Sequence, residues 1–321
     1  MKKLLRGICL MGVVALLATS CNKKETSMVY RAYSYDQTFD IEYGDIEEGS
    51  RVYIDDNYRV MFEEGDQVML YNVDSDDPTQ SVAAMYVVDA TSNQPTLSPV
   101  GSEIPEAMMT AKYAFYPGNN VNTDDLANEN RSTFTLNTVQ TYAAEGIAKD
   151  ALYMAAKIDN EDETGNNFAF RNICGILVMK FYNPDGKSIE NITVTDNTHN
   201  LTGDVTLKVD EVDPGRMMGL FRNYDPNDPN SQTAVAGYME EVGYAVANAG
   251  NVLTLDCGGV ALGTSAAEAT TFYFVLRPLA LMNGFDMVIT FTDGTTKTIT
   301  TTRDNKIKPN TLRVFPALKV A

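Results

Sequence analysis

The sequence predicts an all-β chain built as antiparallel β-sandwiches, and three features carry that reading. Short β-branched and aromatic runs recur, among them Val52-Tyr53-Ile54, Val68-Met69-Leu70-Tyr71 and Ala84-Met85-Tyr86-Val87-Val88. Such residues suit a pleated, half-buried surface. Turn formers such as Glu64-Gly65-Asp66 and Ser75-Asp76-Asp77-Pro78 separate the runs. No amphipathic pattern longer than about three helical turns stands out, so helices are expected only as short connections.

Taken in chain order, the first element is a leader. Lys2, Lys3 and Arg6 precede an apolar run from Ile8 to Leu17, which small residues and Cys21 close. That is the layout of a secretory signal peptide, and the apolar run is too short to span a bilayer of roughly 30 Å as a helix. Leu17-Ala18-Thr19-Ser20-Cys21 resembles a bacterial lipobox, with Ala18 where a larger aliphatic residue is usual. Acyl chains on Cys21 would then be the membrane anchor; the plainer alternative is an ordinary signal peptide with a chance cysteine. Residues 22–29 form a short polar tether.

Tyr30 to Tyr43 reads as one strand. Tyr33, Tyr35, Gln37, Phe39, Ile41 and Tyr43 share one face, while Ser34, Asp36, Thr38, Asp40 and Glu42 share the other, the period of two that a strand presents. An acidic stretch from Asp159 to Asn167 marks a domain boundary near Asn160 to Asn167. The expected domains are 30–165 and 166–321. A strongly apolar strand, Ile173 to Phe181, follows. Thr198 to Val209 alternates Leu201, Val205, Leu207 and Val209 against Thr202, Asp204, Thr206 and Lys208. Asp225 to Ser231, with two prolines and two asparagines, reads as a long loop. The clearest hairpin joins Met287–Thr292 to Thr295–Thr301 through Asp293-Gly294, which supplies the positive φ angles of a tight primed turn. Expected core positions are Val68, Leu70, Ile176, Val178, Phe181, Phe274, Leu276, Ile289 and Phe291.

Charge and chemistry narrow the function classes. Removing residues 1–21 takes Lys2, Lys3 and Arg6 from the 25 basic residues and leaves all 43 acidic ones, a formal charge of −21. Such a surface repels nucleic acid, so nucleic acid is not an expected partner. His199 is the single histidine and lies in the turn-like run Asp196-Asn197-Thr198-His199-Asn200, where a triad or zinc site would need further partners. GxSxG, Walker A, GxGxxG and CxxC motifs are missing from the mature chain. An enzyme is therefore not expected, nor any cofactor or metal. Paired carboxylates could build a glycosidase, but nothing ranks one pair above another, and the lack of tryptophan weakens glycan stacking. Asp159, Glu161, Asp162, Glu163 and Gly165 depart from the calcium-loop spacing and read as a solvated acidic linker, as do Asp74 to Asp77. Cys174 and Cys257 both sit in apolar contexts; export permits a bridge, and two separately buried thiols are the commoner outcome.

Four segments together resemble the fimbrillin-like family, the lipoprotein precursors from which Bacteroidales build type V pili. They are Val60-Met61-Phe62-Glu63-Glu64-Gly65-Asp66-Gln67-Val68, Tyr113-Ala114-Phe115-Tyr116-Pro117, Phe168-Ala169-Phe170-Arg171-Asn172-Ile173-Cys174-Gly175-Ile176-Leu177 and Phe272-Tyr273-Phe274-Val275-Leu276-Arg277-Pro278. The resemblance implies two tandem transthyretin-like sandwiches, with Phe168 opening the second. It also implies a lipid-anchored precursor at the outer membrane and cell surface. An arginine-specific protease would remove the N-terminal strand, and other pilus subunits would assemble by β-strand addition in the vacated groove. Arg51 sits where the family is cut, with Arg31 the alternative. Stalk subunits carry a C-terminal appendage, whereas Leu312 to Val320 here runs to the last residues, which favours a tip or accessory adhesin. The other class of function weighed is a glycan-binding surface lipoprotein of a nutrient-uptake system, which would show Tyr224, Tyr238 and Tyr244 exposed around one concave site.

Overall fold

A computed structural model of the chain describes residues 29–34, 37–43, 53–54, 60–62, 64–89, 96–101, 105–144, 146–148, 151–158 and 167–321. The first half supplies β1 (Val29–Ser34), β2 (Gln37–Tyr43), β3 (Tyr53–Ile54), β4 (Val60–Met61), β5 (Gln67–Asn72), β6 (Val82–Asp89), β7 (Thr96–Pro99) and β8 (Tyr113–Tyr116). β9 (Val121–Asn122), the short α1 (Leu126–Glu129), β10 (Arg131–Leu136), β11 (Val139–Ala143), β12 (Gly146–Ile147) and β13 (Met154–Lys157) follow. Then come β14 (Asn167–Asn172), β15 (Gly175–Tyr182), β16 (Ser188–Asp196), β17 (Thr202–Lys208), α2 (Pro214–Arg222), α3 (Pro229–Glu241), β18 (Ala245–Gly250) and β19 (Val252–Ala261). The chain ends with β20 (Thr270–Leu276), β21 (Phe285–Phe291), β22 (Thr296–Thr301) and β23 (Leu312–Lys319).

Among the described residues the architecture is all-β, in four sheets. Their strand orders are β1-β2-β14-β13-β8-β5-β6-β7, β18-β17-β10-β9, β22-β21-β16-β19-β11-β12-β3-β4 and β20-β15-β23. Most ladders are antiparallel, but β2 with β14, β11 with β19 and β15 with β23 run parallel, where antiparallel pairing was expected throughout. Sheets also combine early and late segments: β10 pairs β17, and β11 joins β19. From β11, the buried Gln140 side chain also reaches β20 of the three-stranded sheet, donating to the Val275 carbonyl at 2.8 Å and accepting from the Val275 N–H at 3.0 Å. A side-chain amide here does the work of a ladder residue.

Two apolar cores result. One gathers Val68, Leu70, Tyr86, Phe115 and Phe170 with Phe134, Val205 and the inner sides of α2 and α3. The other gathers Leu177, Met179 and Phe181 with Ile192, Leu255, Phe274, Met287 and Ile289. β15 serves both, Ile176 and Val178 facing the first and Leu177, Met179 and Phe181 the second. A strand covered on both faces explains the unbroken apolar run. All nine expected core residues are buried, and Leu201, Val205, Leu207 and Val209 are buried as their alternation required.

Several expectations need correction. Tyr30–Tyr43 is a hairpin of β1 and β2, paired from Val29↔Glu42 to Ser34↔Gln37, so no single face runs through Tyr33 to Tyr43. The strand expected from Ile173 to Phe181 is β15, Gly175–Tyr182, and the Phe168 segment before it is a strand of another sheet, β14. The Asp293-Gly294 hairpin forms, with Met287, Ile289 and Phe291 buried. Its turn, however, puts only Gly294 at positive φ, 79°. The Gly294 N–H donates to the Phe291 carbonyl, and the Phe291 N–H to the Thr295 carbonyl. That is the bonding of a turn followed by a glycine bulge rather than of a primed turn. The loop expected at 225–231 instead leads into α3, 13 residues long. Both α2 and α3 start the same way: Asp213 and Asp228 accept N–H groups of their first turns, and Pro214 and Pro229 follow, the preferred N-terminal order for a helix.

Candidate strand-exchange site

The N-terminal hairpin is an added piece of sheet. β2 lies parallel to β14, with Asn167↔Asp40, Phe168↔Ile41, Ala169↔Glu42 and Phe170↔Tyr43 in register. β1 occupies the outer edge and lies beside β7, the strand at the opposite end of the same sheet. The sheet therefore curls until its two edges meet, and the hairpin fills the space between β14 and β7. At the usual strand spacing that space is roughly 10 Å wide, two strands.

Under this position β14 presents large aromatics. Phe168 and Phe170 are buried, and Phe170 meets Phe62 edge-on at 5.4 Å. Phe62 in turn meets Tyr116 edge-on at 5.0 Å. Such contacts favour one ring arrangement beyond the area that they bury. Without the hairpin, the outer backbone edge of β14 would offer a row of unpaired N–H and C=O groups, the template that strand addition uses.

The chain leaves this floor through a tight crossover into β15. Asn172 and Asn310, both buried, clamp it. The Asn172 N–H donates to Asn310 Oδ1 at 3.1 Å, the Asn310 N–H donates to the Cys174 carbonyl at 2.9 Å, and the Cys174 N–H donates to Asn172 Oδ1 at 2.8 Å. Gly175 completes the passage: a Cβ there would lie 2.1 Å from Ile307 Cγ2 and 2.5 Å from the Lys308 carbonyl oxygen. Only glycine lets the two backbones approach so closely.

Of the site residues expected from sequence, Cys21 and Arg51 lie outside the described residues. So do Asp159 to Asn166, which cover most of the expected domain boundary. Arg31 falls inside β1 opposite Asp40, a paired backbone that a protease cannot thread while the ladder holds. Cys174 and Cys257 are free, buried thiols. Burial pushes each up to about 12, which keeps them protonated and unreactive.

His199 stands at a structural corner. The fully buried Asp196 carboxylate accepts N–H groups of Thr198 at 2.8 Å and His199 at 2.9 Å on one oxygen, and of Leu281 at 2.6 Å on the other. Asp74 Oδ1 likewise accepts the N–H groups of Asp76 and Asp77, both at 2.9 Å.

The three tyrosines do not form an exposed platform. Tyr238 is buried with its hydroxyl donating to the Asp213 carbonyl at 3.0 Å. The Tyr244 hydroxyl accepts from Arg277 Nε at 3.0 Å. Tyr224 is half-buried, with Lys306 Nζ 5.4 Å from its ring centroid. The crossover clamp and the two-strand width of the site were missed in sequence, because both depend on residues far apart in the chain.

No protein-family model matches the chain, and no curated protein matches it. Among solved structures, a candidate cell adhesion protein from Bacteroides uniformis is 12% identical, covering 93% of this chain and 94% of its own, with a TM-score of 0.47. A candidate cell adhesion protein from Bacteroides ovatus is 13% identical over 77% and 80%, with a TM-score of 0.42. A fimbrial protein from Bacteroides ovatus is 12% identical over 81% of this chain and 46% of its own, with a TM-score of 0.35. Likeness at this level transfers neither activity nor partner.

Proposed function

We propose that the chain is a fimbrillin-like surface subunit with an adhesive, non-enzymatic role. Its precursor is exported, anchored through lipid on Cys21 at the outer membrane, and organised as an N-terminal sandwich domain, 30–165, and a C-terminal one, 166–321. One observation carries the reading: the N-terminal hairpin adds to β14 and fills a two-strand space between the ends of one sheet. A segment placed that way is removable without cutting through either core. Cleavage after Arg51 would free residues up to β2, and a strand from another subunit would then take the place of β2 along β14. Backbone hydrogen bonds would supply the affinity of that addition, and side chains fitted to the floor its specificity.

In this reading the subunit acts at the tip or as an accessory rather than in the stalk, which the pairing of β23 along β15 supports. The nutrient-uptake reading has less support, since Tyr238 is buried and Tyr224 and Tyr244 are half-buried rather than exposed around one site. Limited trypsin digestion of the folded precursor, followed by N-terminal sequencing, tests the proposal. A dominant fragment beginning at Val52 is expected; a bond after Arg51 that resists while other arginines are cut would overturn it.

A further inference from the structure

The segment from Arg303 to Arg313 reverses the charge of the chain locally. Arg303, Lys306, Lys308 and Arg313 place four of the 25 basic residues of a chain of net charge −18 there, with Asp304 the sole acid between them. The lysines are committed to structure. Lys306 Nζ donates to the Tyr224 carbonyl at 2.5 Å and Lys308 Nζ to the Arg222 carbonyl at 2.7 Å, closing off the C-terminal end of α2 as cations there do. Burial, and then the positive charges of Lys306 and Arg222, hold Lys308 below the ordinary lysine range, a sign of how closely the cations are gathered.

The arginines are not committed in that way. Both are exposed and line a groove of about 470 Å³ between the end of β22 and β23, together with Thr301, Asn305, Phe315 and Pro316. Arg313 Nη2 donates to Asn305 Oδ1 at 3.1 Å, and its guanidinium carbon lies 5.7 Å from the Phe315 ring centroid, so the fork is held in one direction. Among the described residues neither arginine has a carboxylate within ion-pair distance. Asp304, which also lines the groove, accepts the Lys306 N–H through Oδ1 at 2.8 Å. Two guanidinium groups left without carboxylates in so acidic a protein, in a groove of ligand size, call for an anion from outside.

We infer that this groove binds an acidic polysaccharide, its sugar carboxylates held by Arg303 and Arg313. Planar guanidinium forks match carboxylates two bonds at a time, and the apolar flank of Phe315 and Pro316 beside Thr301 and Asn305 suits a sugar ring with its hydroxyls. A peptide fits less well. It would have to add to β23, whose ladder shifts register between Val178 and Lys180, next to Pro316, which has no N–H to give. At physiological salt the screening length is about 8 Å, so distant acidic residues do little to repel a chain bound in the groove. The inference deepens the adhesive reading by naming the class of receptor.

Binding of the purified full chain to immobilised polygalacturonate, dextran and poly-glutamate, measured by interferometry at physiological salt, tests it. The unmodified chain is expected to bind polygalacturonate and not dextran. Arg303→Gln and Arg313→Gln, both at exposed positions, are each expected to weaken binding by about tenfold. No binding to polygalacturonate, or undiminished binding by both variants, overturns the inference. So does equal, arginine-dependent binding to poly-glutamate, which would identify an acidic peptide instead. Release of the hairpin after Arg51 does not involve these side chains, so either proposal can fail with the other left standing.

Discussion

Replacing Gly175 by alanine is expected to be severely destabilising, and the size of the effect can be worked from two contacts. The new Cβ would meet Ile307 Cγ2 at 2.1 Å and the Lys308 carbonyl oxygen at 2.5 Å. The first obstacle is a side chain and can turn; the second is backbone and cannot. Overpacking of this kind costs about 1–3 kcal/mol. Backing the 307–311 segment away would also strain the bonds from the Asn310 N–H to the Cys174 carbonyl and from the Ile176 N–H to the Thr311 carbonyl, each worth about 1 kcal/mol. The loss should therefore be about 2–5 kcal/mol, a large part of the total stability of an ordinary domain. Urea unfolding of Gly175→Ala, Ile307→Leu and the double variant separates the contributions. Moving the branch of residue 307 away from Cβ should restore part of the loss and leave the carbonyl clash. A Gly175→Ala variant within about 0.5 kcal/mol of the parent, the range of an ordinary surface change, would refute the close-approach argument.

Phe170→Ala removes a buried ring that meets Phe62 at 5.4 Å and should cost about 3–5 kcal/mol in urea unfolding; a loss under about 1 kcal/mol would place the ring outside the core. Asp293 is held at about 2, against an ordinary 3.8, first by the Thr295 hydroxyl and then by Lys187 and the Thr295 N–H. Its folded value lies below its unfolded one, so its contribution to stability is present above pH 3.8 and lost as pH falls through about 2. Carboxyl NMR should find that low midpoint and see it rise in Thr295→Ala; an ordinary midpoint in the parent would contradict the bonding. In a chain lacking residues 1–21, Cys174 and Cys257 should resist alkylation when folded and both react on unfolding without reductant. Labelling that required reductant would mean a disulfide.

The strand pattern was legible wherever one face of a strand meets one core. Met287, Ile289 and Phe291 alternate with partly exposed residues because β21 is covered on one side. β15 was legible as a buried strand from Ile173 to Phe181, but an unbroken apolar run gives no phase from which to see that its two faces serve different cores. The β1–β2 hairpin was hidden for a related reason: alternation continues from Ser34 to Gln37 across the reversal, and no Gly or Pro marks it. α2 and α3 were not legible as helices: Asp225 to Ser231 reads as a loop, and α3 buries only Val235 and Tyr238. That is too thin a stripe for hydrophobic periodicity to register. Parallel pairing of β2 with β14 and the meeting of β1 with β7 depend on contacts distant in sequence, which local pattern does not encode.

Hydrogen exchange at the amides of Asn167 to Phe170 tests most directly whether the hairpin is a replaceable cover for β14. Successive amides of a strand point to opposite edges, so in the intact precursor the alternate amides of this stretch that face β2 should be protected by the ladder to Asp40–Tyr43. After cleavage at Arg51 and removal of the N-terminal fragment they should exchange at the rate of an open strand edge, and a donor strand supplied by a second subunit should restore their protection. Protection that persists unchanged after the fragment is gone, or a cleaved fragment that cannot be separated from the folded chain, would contradict the account.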